Sequence, residues 1–239
     1  MLPGFPGSFL GRYNSPSVTH WRSRIAPSKM NVSELFQGYE LLVDKSDVAF
    51  REVEKEYGPN ISCARHCSDC CHAVFGLFPI EAAYIKQHFD QLKSEAKKAA
   101  LLRGNEMEKG LKRLEATLKT HEDDSQMQAF VMARERIRCP LLDDSQDCIL
   151  YPHRPITCRV YGVPTRIQGK GRVCGKSGFK QGESFPLFDL DAVYRDLYAL
   201  SRELLKTEGK DDPEKASLLF SVSRVISAPL DEVIHETFG

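Results

Sequence analysis

The chain has 239 residues, 41% of them hydrophobic, a length for one domain, or one domain with an appendage, and enough apolar material for a buried core. Lysine plus arginine number 33 and aspartate plus glutamate 33, a formal net charge of zero, which argues against coating nucleic acid or membrane through bulk charge. No apolar stretch approaches the roughly 18 residues that a membrane-spanning helix needs, so no membrane association is expected.

Residues 1–30 carry Arg12, Arg22, Arg24 and Lys29 and no acidic residue. Pro, Gly and Ser interrupt every apolar block there, whereas a secretory signal needs about 7–15 apolar residues together. The segment reads as a disordered leader or as a mis-assigned start ahead of Met30, with a transit peptide as the alternative. Residues 31–239 read as a single helical cysteine-cluster domain, mildly acidic with 29 basic and 33 acidic side chains. The expected location is cytoplasmic, where thiols stay reduced.

In chain order, Asn31 with Glu34 forms a capping-box-like start. Leu35, Tyr39, Leu42, Ala49, Val53 and Tyr57 then recur at helical spacing, predicting a helix over 32–57 that ends at Gly58-Pro59-Asn60. Pro79 suits the first turn of a second helix over 80–92. Met107, Leu111, Leu114 and Leu118 share one face of a third helical segment, with Gly104 as a candidate break. Its polar side chains read as a solvated face. A short helix is expected over 126–136. Helical periodicity then gives way to Gly and Pro from 139 to 186. Asp143-Asp144-Ser145 reads as the turn of a small β-hairpin between 139–142 and 148–151; one turn near 154–159 and a glycine-rich loop follow. Helices return with three stripes: Leu190, Val193, Leu197, Leu200 and Leu204; then Leu218, Leu219, Val222, Val225 and Ile226; then Leu230, Val233, Ile234 and Phe238. The expected fold is mostly α, amphipathic helices around a loop-rich, cysteine-tied insert.

Eight cysteines carry the chemical signal. Cys63, Cys67, Cys70 and Cys71 fall within nine residues, and a short turn can aim thiolates so spaced at one metal ion or cluster. Cys139, Cys148, Cys158 and Cys174 form a wider second group. Free buried cysteines and a disulfide framework are the bland readings. Four thiols beside Arg65, His66 and Asp69 are not a core pattern, and disulfides need an oxidising compartment. Metal ligation is therefore expected of all eight, as two four-cysteine sites or one larger site, holding zinc, iron or a [4Fe-4S] cluster. Adjacent Cys70 and Cys71 can serve one centre only through a strained turn, or else serve different ones. His66, His72 and His153 can each replace a thiolate. From 148 to 182 there are seven basic residues and no acidic one. Of these, Arg154, Arg159 and Arg172 are candidates to offset thiolate charge or to bind an anion, with a solvated surface as the plain alternative.

These residues resemble the YkgJ-like cysteine-cluster family, a CxxCxxCC-type group described as zinc- or iron-chelating. The family pattern continues with C-P-x-L, here Cys139-Pro140-Leu141-Leu142. Next comes C-x-[IL]-Y-x-x-R-P-x-x-C-R, here running from Cys148 through Tyr151, Arg154 and Pro155 to Cys158-Arg159, and then a last cysteine, Cys174. The likeness covers about residues 63–174. One departure stands: three residues rather than two separate Cys63 from Cys67. The resemblance implies metal binding without an agreed activity. One branch, the flagellin lysine methylases, is similar in its cysteines and uses S-adenosylmethionine, which makes an iron–sulfur-dependent protein lysine methyltransferase the alternative function. Cys63-x3-Cys67-x2-Cys70 is also similar to the radical S-adenosylmethionine motif, but Asp69 stands where an aromatic residue is usual and no βα alternation follows.

No acid, base or nucleophile constellation accompanies the thiols. The leading reading is a metal-binding protein without its own catalytic turnover, its partner the metal ion. RNA binding through 148–182 is a third and lesser reading.

Overall fold

The structure, a computed structural model, describes residues 31–180, 183–207, 209, 211–229 and 232. Helix α1 (Val32–Tyr57) starts from a reciprocal cap: the Asn31 side chain accepts the Glu34 N–H (2.9 Å) and the Glu34 carboxylate accepts the Asn31 N–H (3.0 Å). Two of the four N–H groups that a helix start leaves unpaired are so satisfied. Leu35, Tyr39, Leu42, Ala49 and Val53 are buried along one stripe, as their spacing predicts, and Gly58–Asn60 tightens into a 3-10 turn.

Helix α2 (Pro79–Asp90) follows the first cysteine group, with Pro79 at its first position. It is buried on nearly all sides and divides two apolar clusters. Ile80, Ala83 and Tyr84 face α1, α5 (Ile156–Arg159) and α6 (Leu190–Thr207). Ala82, Ile85 and Phe89 face α3 (Ser94–Lys119), α8 (Val222–Ser227) and the 137–150 segment. The remaining helices are α4 (Ser125–Arg134) and α7 (Pro213–Ala216). The fold is mostly α with a minor β element.

Three expectations are corrected. Gly104 does not break α3, which runs unbroken from Ser94 to Lys119; its bare Cα sits where α8 packs, beside Ser223 and Ile226. Leu218 and Leu219 are exposed and precede α8 rather than joining it. The pairing between 139–142 and 148–151 is a single bridge, Leu142 to Cys148, because Asp143 folds the intervening turn onto its own carboxylate through the N–H groups of Ser145 and Asp147 (2.9 Å each). The β-hairpin lies further on, in the glycine-rich loop: β1 (Thr165–Ile167) runs antiparallel to β2 (Lys170–Arg172). Gln168 and Gly169 turn it with φ of 51° and 70°, the paired left-handed conformations that a two-residue hairpin of this twist requires. The Asp191 carboxylate accepts both N–H groups of that turn (2.7 and 3.0 Å). Strand β3 (Phe188–Asp189) adds in parallel on the other edge of β1. The stripe Leu230, Val233, Ile234 and Phe238 lies outside the described residues, as does the 1–30 leader.

Among the described residues no helix is long and apolar enough to cross a membrane.

Candidate metal centre

Backbone hydrogen bonds gather the cysteine segments. Cys67 N–H reaches Ala64 O and Cys71 N–H reaches Ser68 O (3.0 Å each), which curls 63–72 into consecutive turns. The 137–139 segment lies along this loop, with Ile137 N–H on His72 O (3.0 Å) and Cys139 N–H on Cys71 O (2.7 Å). Cys158 sits in the single turn α5, whose first N–H, that of Ile156, donates 3.1 Å to the buried Glu81 carboxylate on α2. The 174–178 segment is clamped to the end of α1: Ser62 Oγ donates to Lys176 O (2.6 Å), Asn60 Nδ2 to Gly178 O (2.9 Å), and Gly178 N–H to Asn60 O (2.7 Å).

All eight cysteines are free thiols, and Cys70 stands beside several of the others. Cys158 and Cys71 both hydrogen-bond the Cys70 sulfur, holding its pKa far below the usual thiol range. The same bonds, with burial, push Cys158 and Cys71 upward. Burial raises Cys139 to about 12 and Cys148 to about 11, with Cys70 adding to each. Cys70, Cys71, Cys139, Cys148 and Cys158 thus form one set. Cys63 is pushed up to about 12, first by burial and then by Cys67, Cys174 and Cys70. Cys174 is raised by burial and by its bond to Asp69.

Among the described residues no group of three or more His, Cys, Asp or Glu side chains is arranged to hold an ion as it stands. The donor set nevertheless suits a thiophilic ion, since Cys71, Cys139, Cys148 and Cys158 all stand near enough to Cys70 to feel its charge. Cys70, Cys71, Cys139, Cys148 and Cys158 are the residues that would hold it.

The three candidate arginines separate. Arg154 lies flat on the exposed Tyr151 ring, 3.8 Å from its centroid, and its Nε donates to Tyr151 O (3.2 Å). Its charge lowers Cys63, Cys70 and Cys148. Arg159 turns away to Asp47 (2.8 Å) and to the carbonyls of Arg154 (2.8 Å) and Pro152. Arg172 closes β2 opposite Thr165. The histidines are engaged elsewhere. His66 faces Asp147 (3.4 Å) and His72 Nδ1 meets Ser68 O (3.0 Å). His153 stacks on His88 at 3.5 Å with its Nδ1 3.3 Å from the Tyr84 hydroxyl.

Two participants were not singled out from the sequence. Asp69, inside the first motif, accepts from the Cys174 thiol at 3.4 Å. Glu81, fully buried, ties α2 to the turn that carries Cys158. The only sequence signal for Asp69 was its place between Cys67 and Cys70; for Glu81 it was a carboxylate in an otherwise apolar stretch.

Residues 62–175 match the model of the CxxCxxCC family, described as "Putative zinc- or iron-chelating domain". No curated protein and no solved structure matches the chain. The family match spans all eight cysteines and agrees with the resemblance carried by their spacing: the 62–175 segment is similar to the CxxCxxCC family.

Proposed function

We propose that this chain is a metal-binding protein that chelates zinc or iron through its cysteine cluster, the iron alone or in an iron–sulfur cluster, with no catalytic turnover of its own. The observation that carries the reading is the meeting of Cys70, Cys71, Cys139, Cys148 and Cys158, drawn from three separate stretches of chain around one thiolate. A bound metal supplies a cross-link among those stretches, beyond the backbone bonds, the one β-bridge and the packing of Leu141 and Leu150 that already hold them. The protein's own groups do the rest. Glu81 fixes the turn bearing Cys158, Cys71 O fixes the backbone of Cys139, and Arg154 offsets thiolate charge from the outer side. A thiolate-saturated site is typical of structural or carrier centres, which leave no open coordination position for a substrate.

The test is metal and acid-labile sulfide content, with a visible spectrum, on full-length protein purified without oxygen. Colourless protein holding stoichiometric zinc, or brown protein holding iron and sulfide, supports the reading and names the metal. Protein that is metal-free as isolated and takes up neither ion overturns it.

A further inference from the structure

We propose that the stacked imidazoles of His88 and His153 form a proton-operated latch, closed while both rings are neutral and released when the pair takes up a proton, which frees the 151–154 turn from α2. The inference goes beyond the metal-binding reading and does not depend on it.

The two halves of the latch come from different elements. His88 lies near the end of α2, and His153 closes the 3-10 turn Tyr151–His153. Their ring centroids stand 3.5 Å apart with planes 8° from parallel, a separation of full van der Waals contact. Tyr84, one helical turn before His88, meets the two rings edge-on at 4.5 and 5.8 Å. Tyr151 and Pro152 are themselves exposed. Within the turn, Tyr151 N–H donates to Cys148 O (3.0 Å) and His153 N–H to Leu150 O (2.8 Å).

The hydrogen bonds fix where a proton enters. Tyr84 has one hydroxyl proton and gives it to Glu40 Oε1 (3.0 Å), so across 3.3 Å it is His153 Nδ1 that donates and Tyr84 that accepts. A further proton on His153 therefore goes to Nε2. On His88 the Nε2 atom is buried, and among the described residues it is the one buried side-chain nitrogen or oxygen without a hydrogen-bond partner. A neutral ring bears this as a bare lone pair. A proton there becomes a buried, charged N–H with no acceptor, which is far more costly.

The surrounding charges divide. Helix α1 presents Glu40, Asp44 and Asp47, α2 presents Tyr84, and α5 presents Arg159. Arg159 binds Asp47 (2.8 Å) and also grips the carbonyls on either side of His153, those of Arg154 (2.8 Å) and Pro152. A fixed positive charge thus already sits beside the turn. Burial, then His88, then Arg159 lower the pKa of His153, and burial lowers that of His88; Glu40 opposes in both cases, joined at His88 by Gln91. Swung into water, His153 regains the ordinary value near 6.5. The released turn therefore holds a proton more tightly than the latched one, and release is favoured as pH falls below about 6.5. The segment set free runs between Cys148 and Cys158, so the latch governs how firmly those two cysteines are spaced.

Amide hydrogen exchange of the full-length protein at about pH 7.5 and about pH 5.0, corrected for the intrinsic pH dependence of exchange, tests the latch. In the wild type, protection of the Tyr151 and His153 N–H groups is expected to fall about tenfold at the lower pH, while α1 keeps its own. The double variant His88→Phe with His153→Phe keeps two stacked rings that take no proton, and is expected to stay protected at both pH values. Any other group that titrates over this range moves wild type and double variant alike. His153→Ala removes the ring from an exposed turn and is expected to show the low protection of the released state already at about pH 7.5. A double variant as sensitive to pH as the wild type overturns the latch, and so does a His153→Ala turn as well protected as the wild type at about pH 7.5. If the double variant does not fold, as judged by circular dichroism, His153→Ala decides alone.

Discussion

The sulfur of Cys63 lies against the bare Cα of Gly162: a Cβ built on that glycine would stand 2.2 Å from Cys63 Sγ and 3.1 Å from its Cβ. Two residues 99 positions apart in sequence thus share one van der Waals surface at the edge of the cysteine loops.

Gly162→Ala is therefore expected to displace the Cys63 side chain while leaving the helices intact. Overpacking of this kind costs roughly 1–3 kcal/mol. Metal content is expected to fall if Cys63 is a ligand and to stay unchanged if the ions are held around Cys70 alone. Gly175→Ala, where nothing lies within 4 Å of the added methyl, serves as the matched control. Metal analysis and thermal melting of both variants check the expectation, and equal behaviour of the two would show that Cys63 has room to yield.

Metal removal is expected to loosen the molecule unevenly. The 63–72 and 174–178 loops are joined to the rest mainly by single hydrogen bonds, whereas 137–158 buries Ile137, Leu141, Leu142, Leu150 and Ile156, and α1, α2 and α6 share a cluster with Leu35, Tyr39, Ile80 and Leu197 at zero exposure. Hydrogen exchange before and after chelation should show protection lost first at the loop N–H groups of Cys67, Cys71, Ser177 and Gly178 and retained along α1 and α6. Local opening of this kind is the normal behaviour of segments with few apolar contacts. Uniform loss of protection would mean that the metal holds the whole fold.

How much of this was legible in the sequence follows from the range of the forces involved. The α1 cap and stripe are local, set by Asn31, Glu34 and residues three or four apart, and the helix spans the predicted residues. The hairpin was misplaced because Asp143-Asp144-Ser145 is good turn chemistry wherever it falls. The turn forms where expected, but the pairing beside it stops at one antiparallel bridge, Leu142 to Cys148, because Cys139 N–H goes to Cys71 O. The true hairpin depends on Gln168 adopting a positive φ that Asp191, 23 residues on, stabilises. Motif spacing pointed to the zinc- or iron-chelating family, but the approach of Asp69 to Cys174 is a contact across 105 residues, which spacing does not encode.

Two glycines on α3 should respond oppositely to the same substitution. At Gly104 an added Cβ meets Ile226 and Ser223 at 3.8 Å, ordinary contact. Gly104→Ala is expected to stabilise the chain by about 0.5–1 kcal/mol through the smaller entropy loss on helix formation. At Gly110 the Cβ meets three side-chain carbons of Ile137 at 3.0 to 3.3 Å, and Ile137 is buried in the core, with little room for its side chain to give. Gly110→Ala should therefore lower the melting temperature. The pair of melting curves checks both signs at once.

Glu81 supplies a pH dependence of defined sign. Burial raises its carboxyl from the ordinary 4.5 to about 7, partly opposed by the N–H groups of Ile156 and Phe78 and by the Tyr39 hydroxyl. The folded state thus holds a proton that the unfolded chain has already released. The stability tied to that proton is fully present below pH about 4.5, is lost as pH rises to about 7, and changes no further above that. A gap of this size corresponds to about 3 kcal/mol. His88 and His153, both lowered first by burial, act with the opposite slope, since their neutral folded forms are destabilised as pH falls. The quantity to measure is therefore the difference between wild type and Glu81→Gln, which keeps a neutral side chain with an oxygen for the Ile156 N–H (3.1 Å in the wild type). Urea unfolding at intervals from pH 4.5 to 7.5 should show the wild type losing stability relative to Glu81→Gln across that window. Parallel curves would mean that Glu81 stays ionised in the fold, its charge carried by the three donors that face it.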